Sequence, residues 1–158
     1  MSTFLSITKE DVGRVLSTRA DIGATGEQLA ADYLERNGYT LVLSNFKVPI
    51  GRNTRAVAVT GEIDIVALDG DQLCFVEVKT RLSDKFAEPL ASVTTRKQRQ
   101  ITRTARVYRR IFRLTQVPHR FDVVSIVLTQ NAEPKLDLIK DFWTEGKFRK
   151  KSWSGDIY

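Results

Sequence analysis

The amino-acid sequence predicts a single α/β domain in which helices flank a mixed β-sheet. Segments with helical and strand-like patterns follow one another in the order helix, three strands, helix, strand. An antiparallel hairpin followed by a helix and another strand is typical of a mixed sheet, because the helix carries the chain back to a parallel position. With 158 residues, of which 42% are hydrophobic, the chain is long enough for one domain with a buried core.

The first helix is predicted in "TGEQLAADYLERNGY". Thr25 and Gln28 have the spacing of a capping box, and Asn37-Gly38 is a typical stop signal. The residues "YTLVLSNFKV" that follow predict a strand. The segment "PIGRNTRAVAVT" (49–60) is predicted to be either a flexible loop or an irregular hairpin arm, because it combines proline, glycine and asparagine.

Residues 61–81, "GEIDIVALDGDQLCFVEVKTR", predict a β-hairpin with a two-residue turn at Asp69-Gly70. With this register, Asp64 and Glu77 are diagonal neighbours that share one face of the sheet with Lys79. A three-residue turn would instead separate the two carboxylates. The expected facing pairs are Leu68 with Asp71, Val66 with Leu73, Asp64 with Phe75, and Glu62 with Glu77.

The second helix is predicted from about Thr95 to Leu114. Thr95 and Gln98 again have the spacing of a capping box. The strand patterns "RFDVVSIVL" (120–128) and "LDLIKDFW" (136–143) follow this helix. The predicted inward stripe of the helix consists of Ile101, Ala105, Tyr108 and Phe112.

Charge, cysteine and histidine content narrow the class of protein. The net charge of +6 suggests a polyanionic partner. Cys74 is the only cysteine, so no internal disulfide can form and a reducing cytosol is expected. His119 is the only histidine, which argues against a Cys/His zinc site and against Ser–His or Cys–His triads. The sequence has no secretory signal pattern and no long apolar run, so we expect a cytoplasmic protein that does not enter membranes.

The charged residues of the hairpin predict a metal site. Carboxylate oxygens are the ligands that Mg²⁺ and Mn²⁺ prefer, and Asp64 and Glu77 would repel each other without a cation. Lys79 would point into the same space, where it could orient a water molecule or stabilise charge on a phosphate. An acid-x-Lys pattern also occurs by chance in solvent-exposed strands. The preceding "LCFV" is apolar on both faces, however, and favours a metal-dependent phosphodiester hydrolysis site.

Asp64, followed on the next strand by Glu77-x-Lys79, resembles the signature of the PD-(D/E)xK nuclease superfamily. The segments "GEQLAADYLERNGY", "GEIDIVALDGDQLCFVEVKTR", "VTTRKQRQI" and "RFDVVSI" are similar to the YraN-type family of endonuclease-like proteins, relatives of archaeal Holliday junction resolvases. This likeness covers roughly residues 23–128. Ile63 stands where the superfamily name has a proline.

The resemblance implies a restriction-endonuclease-like αβββαβ core and a site for Mg²⁺ or Mn²⁺. It implies Glu27 as a metal ligand from the first helix, although the helix dipole also favours an acid in a first turn. Gln98 resembles a supporting residue but is equally explained by capping, and Glu62 could substitute for Asp64. A structural role is implied for Asp122. The predicted catalytic residues are Asp64, Glu77 and Lys79, and the predicted metal-binding residues are Glu27, Asp64, Glu77 and Val78.

The second helix concentrates positive charge. No acidic residue occurs between Glu88 and Asp122, whereas nine arginine and lysine residues do. Such a face binds phosphate backbones without sequence preference, although it is also compatible with an ordinary solvent-exposed helix. The basic and aromatic C-terminal tail is either a stacking arm or an ordinary chain end. The predicted DNA-binding residues are Arg96, Lys97, Arg99, Arg103, Arg106 and Arg110.

The sequence therefore predicts a metal-dependent endonuclease, and the resemblance suggests branched or damaged DNA as its substrate. One alternative is a catalytically weak or inactive nucleic-acid-binding module in DNA repair or recombination. Another is a protein-interaction domain whose basic helix meets an acidic protein. The resemblance also implies a homodimer. The predicted organisation is an N-terminal extension (1–22), a nuclease-like domain (23–145) and a C-terminal tail (146–158).

Overall fold

The structure, a computed structural model, describes residues 19–83 and 92–149. In this part of the chain, a five-stranded sheet is covered by one helix on each face. The elements are α1 (Arg19–Arg36), β1 (Thr40–Arg52), β2 (Ala58–Asp69), β3 (Gln72–Ser83), α2 (Thr95–Ile111), β4 (His119–Thr129), β5 (Lys135–Trp143) and a short 3-10 helix (Glu145–Phe148).

The strands lie in the order β1-β2-β3-β4-β5. β3 and β4 are parallel, and the other neighbouring pairs are antiparallel. This arrangement follows from the connections, since α2 carries the chain from the end of β3 back to the start of β4. The predicted mixed sheet and the αβββαβ order are confirmed, and the arrangement is that of a restriction-endonuclease-like core.

Each helix covers its own apolar core. On the α2 face, Tyr108 packs among sheet residues that include Phe75 and Phe121. On the α1 face, Leu34 packs among residues that include Val76. Successive strand residues point to opposite faces, so Phe75 and Val76 belong to different cores. The same alternation decides which face of the sheet each of the following β3 residues occupies.

The start of each helix differs from the sequence prediction. α1 already includes Arg19, so Thr25 lies inside the helix and its prediction as a capping residue is wrong. The N-cap of α2 is Thr94, whose hydroxyl accepts a hydrogen bond from the Lys97 N–H at 3.2 Å. The prediction of Thr95 was wrong by one position. Two adjacent threonines made this ambiguous, and the residue with extended backbone became the cap.

The end of α2 also differs. The helix ends at Ile111, and Phe112 is its C-cap residue. Phe112 is 48% exposed, so its predicted place in the inward stripe is wrong, although its ring lies 4.6 Å from that of Tyr108. The other three residues of the stripe are buried as predicted.

Residues 49–60 form an irregular hairpin arm rather than a loop. β1 continues to Arg52 and β2 begins at Ala58, with a register irregularity between Pro49 and Gly51. α1 crosses the predicted boundary between residues 22 and 23, whereas residues 1–18 of the predicted extension and 150–158 of the predicted tail lie outside the described residues. No helix among the described residues is long and apolar enough to cross a membrane.

Candidate metal centre

The turn between β2 and β3 sets the register of the candidate site. Asp69 pairs with Gln72, so the turn residues are Gly70 and Asp71 rather than the predicted Asp69-Gly70. Gly70 has a φ of 59°, a left-handed conformation that glycine adopts without steric cost. The predicted facing pairs are therefore wrong by two positions. A shift of two positions preserves the parity of the β2–β3 pairing.

The observed register places Asp64 opposite Glu77. The ladder between β2 and β3 ends at the pair Ile65–Val76, and the two acids occupy the next position. Beyond this point β3 continues beside β4, while β2 continues beside β1. The backbone N–H of Val78 donates at 2.8 Å to the side-chain oxygen Oδ2 of Asp64 rather than to a backbone carbonyl. We call this point, where β2 and β3 separate at Asp64 and Glu77, the fork.

The carboxylate of Glu77 lies between two lysines. Glu77 is 3% exposed and faces α2, as the alternation after Phe75 requires. Its Oε1 lies 3.1 Å from Lys79 Nζ, and its Oε2 lies 3.6 Å from Lys97 Nζ. Oε2 accepts no hydrogen bond from any described residue. A buried acceptor without a donor is unusual, and a cation would satisfy it.

Asp64 resists ionisation in this environment. Burial, together with the neighbouring Glu77 carboxylate, raises the pKa of Asp64 from 3.8 to about 7. The Val78 N–H and the Lys97 ammonium lower this pKa, and Glu27 raises it slightly. Two carboxylates that share a site behave in this way because both cannot easily be charged together. A divalent cation would relieve the repulsion.

Glu27 approaches the fork from the other side of the sheet. α1 packs closely on β3 at Gly26, where an added Cβ atom would overlap the Thr80 side chain. The adjacent Glu27 lines a cavity of about 470 Å³ together with Val78 and Lys79. Glu27 therefore shares this cavity with Lys79, although α1 covers the face of the sheet opposite to α2.

The donor atoms at the fork fit a metal site built on two carboxylates. Within residues 19–83 and 92–149, no three His, Cys, Asp or Glu side chains are gathered closely enough to hold one ion. Asp64 and Glu77 do lie opposite each other, and Glu77 Oε2 has no hydrogen-bond donor among the described residues. Mg²⁺ commonly keeps several waters and takes one or two carboxylates together with substrate phosphates.

The two predicted supporting residues lie in different surroundings. Gln98 is buried, donates from Nε2 to the Val93 carbonyl at 2.8 Å and accepts at Oε1 from Lys147 Nζ at 2.9 Å. It therefore fixes the start of α2 rather than capping it. Glu62 forms an ion pair with Lys47 of β1, with 3.4 Å between Oε1 and Nζ.

The basic residues of α2 are divided between internal contacts and the surface. Lys97 pairs with Glu77, Arg103 Nη2 donates to the Ile50 carbonyl at 2.5 Å, and Arg106 pairs with Glu145. The predicted basic face is therefore partly committed to this chain's own groups. Arg96 and Arg110 are exposed and make no such contact with the described residues, whereas the exposed Arg99 guanidinium lies 5.5 Å from the centroid of the Phe148 ring.

Sequence reasoning missed Glu145. Its carboxylate pairs with Arg106 and lies 3.2 Å from His119 Nε2 and 3.7 Å from Arg109 Nη1. These partners are far from Glu145 in sequence, so no local pattern predicts the contact. The one available signal is an acid placed two residues after the end of the last strand, in a chain with an acid-free helix.

The fold defines a class of protein, the α/β proteins with a restriction-endonuclease-like αβββαβ core. The family model described as "Uncharacterised protein family UPF0102" matches residues 26–126. The chain belongs to this family, which is the YraN-type family that its motifs resemble.

Relatives from several bacteria match over most of their length. A UPF0102 protein of Clostridium kluyveri is 38% identical over 126 residues, covering 79% of this chain and 95% of the relative. One from Chlorobium chlorochromatii is 38% identical over 135 residues, covering 82% and 96%. One from Geotalea uraniireducens is 40% identical over 126 residues, covering 78% and 91%.

Proposed function

We propose that this protein is a Mg²⁺- or Mn²⁺-dependent endonuclease that hydrolyses DNA phosphodiester bonds. The observation that supports this most is the fork, where Asp64 lies opposite Glu77 and Lys79 Nζ lies 3.1 Å from Glu77 Oε1. Branched or damaged DNA is the substrate that the sequence resemblance suggests.

In this proposal Asp64 and Glu77 hold the metal ion, which when bound activates water and polarises the phosphate. Lys79 orients the attacking water or stabilises charge that develops on the phosphate. The main-chain carbonyl of Val78 and the carboxylate of Glu27, two residues that line the cavity on the α1 side, are further proposed ligands. Exposed arginines of α2 hold the DNA backbone.

The test is cleavage of plasmid, single-stranded and four-way-junction DNA with Mn²⁺. We expect the wild-type protein to cut at least one substrate, and Asp64→Asn, Glu77→Gln and Lys79→Met each to lower the rate by about 100-fold or more. Glu62→Gln is the matched control, because Glu62 is engaged by Lys47, and it should keep the activity. Cleavage that survives in both Asp64→Asn and Lys79→Met would contradict the proposal.

One observation favours a second candidate, a DNA-binding module that does not cut. Lys79 and Lys97 already neutralise the Glu77 carboxylate and would compete with a metal ion. Such a module would bind DNA in the same assay without any cleavage. Absent or salt-insensitive DNA binding would favour the protein-interaction alternative instead.

A further inference from the structure

A second acid-free stretch lies beside α2. Residues 40–61 contain no aspartate or glutamate but include Lys47, Arg52 and Arg55. They form β1, the hairpin tip and the start of β2. Residues 49–60 of this stretch are the hairpin arm. The sequence alone does not reveal that this stretch adjoins the basic helix, because the two are far apart along the chain.

Two hydrogen bonds join the hairpin arm to α2. Gln100 Nε2 donates to the Thr60 carbonyl at 3.1 Å, and Arg103 Nη2 donates to the Ile50 carbonyl at 2.5 Å. Gly51, with a φ of 131°, permits the second contact, since a side chain there would meet the Arg103 guanidinium. The arm and the helix therefore form one surface.

The tip of the arm is held by its own hydrogen bonds. The Asn53 side-chain oxygen accepts from the N–H groups of Arg55 at 2.9 Å and Val57 at 3.0 Å. Arg52 Nη1 donates to the Ala56 carbonyl at 2.6 Å. The Arg55 guanidinium is exposed and makes no hydrogen bond or ion pair with the other described residues. An ordered tip thus presents one uncommitted positive charge.

We infer that the hairpin arm is a second contact surface for the phosphate backbone of duplex DNA, with Arg55 as its outermost anchor. This inference rests on the proposed function. Residues 47–60 contain no aromatic side chain, which binding of single strands by base stacking would require. At about 3.4 Å per residue along β2, the tip lies about 25 Å from Asp64. That distance corresponds to about seven base pairs of duplex.

The test is duplex binding over a range of salt concentrations in EDTA, which prevents cleavage. A fluorescent duplex of about two helical turns and its single strand are titrated with wild type, Arg55→Ala and Arg36→Ala. Arg36 is an exposed arginine at the end of α1, on the opposite face of the sheet from α2. Arg36→Ala is the matched control, because it changes the net charge by the same amount as Arg55→Ala. We expect Arg55→Ala to weaken duplex binding about threefold and to reduce the salt slope by about 0.9. Arg36→Ala should change neither, and Arg55→Lys should restore both.

Three results would overturn the inference: unchanged duplex binding by Arg55→Ala, an equal loss in Arg36→Ala, or a larger loss for the single strand than for the duplex. Failure of the proposed function is distinguishable. If Arg55→Ala behaves like Arg36→Ala while Asp64→Asn abolishes cleavage, the arm inference fails alone. If no DNA is cut but Arg55→Ala lowers the salt slope, the proposed nuclease activity fails and the arm remains a binding surface.

Discussion

The raised pKa of Asp64 gives the fork a signature in the pH dependence of folding. The pKa is about 7 in the folded chain against 3.8 for an ordinary aspartate. The stability that the protonated Asp64 carboxyl contributes is therefore fully present below about pH 3.8. It is lost as the pH rises to about 7. Asparagine does not titrate and can still accept the hydrogen bond from the Val78 N–H. We predict that Asp64→Asn gains unfolding free energy relative to wild type across this pH range.

Urea unfolding in EDTA at several pH values measures this difference. Carboxylates with lowered pKa, such as Asp69 and Glu145, titrate in both proteins and cancel in the comparison. Glu62→Gln removes a carboxylate that is not opposite Glu77 and should follow the wild-type curve. Parallel curves for Asp64→Asn and wild type would contradict the raised pKa.

The sequence predicts the roles of some single residues but not their contacts with distant parts of the chain. The role of Asp122 was predicted as structural, and it is fully buried while accepting hydrogen bonds from Arg120 Nε and from the Asp141 N–H, each at 2.9 Å. The contacts of Glu77 with Lys97 could not be predicted, because they join two elements that only the folded chain brings together. Periodicity encodes which face a residue occupies but not its partner across a helix and a sheet.

At the scale of elements, α1 is positioned by one glycine. An added Cβ atom at Gly26 would overlap Thr80 of β3, whereas one at Gly23 of the same helix meets nothing within 4 Å. We predict that Gly26→Ala lowers the free energy of unfolding by about 1–3 kcal/mol, as overpacking does. Gly23→Ala should raise it by about 0.5–1 kcal/mol, because alanine is the better helix former.

Urea unfolding of both alanine variants checks this prediction. Adding Thr80→Ala to Gly26→Ala removes the overlapping hydroxyl and should recover part of the loss. If Gly26→Ala and Gly23→Ala changed stability equally, α1 would not be seated on β3 as described, and Glu27 would not line the cavity.

The elements of the sheet were predicted well because strand alternation, the hairpin signal and the helical crossover all point to one topology. The turn was misplaced by one residue because Asp69-Gly70 and Gly70-Asp71 are both two-residue turns, and Gly70 takes the first position with its φ of 59°. The carboxylates still share the fork, since the error preserves parity. The long hairpin arm remained ambiguous because proline and glycine within it are also loop signals.

At the scale of the whole molecule, the fold assembles charge that is scattered in sequence. The acid-free residues 40–61 lie against the acid-free helix α2, while Glu145 returns one negative charge to the far end of that helix. On the surface that results, positive charge is concentrated at the arm and at the exposed arginines of α2. The sequence alone predicts a basic helix. It does not reveal that the hairpin arm lies beside this helix or that Glu145 neutralises charge at one end of it.

Calorimetric titration of Mn²⁺ into the metal-free protein tests the proposed metal centre most directly. We predict binding by wild type, a loss of affinity of more than about tenfold in Asp64→Asn and in Glu77→Gln, and unchanged binding in Glu62→Gln. A smaller loss in Glu27→Gln would identify Glu27 as a further ligand from the α1 side. Equal affinity in all of these variants, or no binding by wild type even with duplex DNA present, would contradict a metal site at the fork.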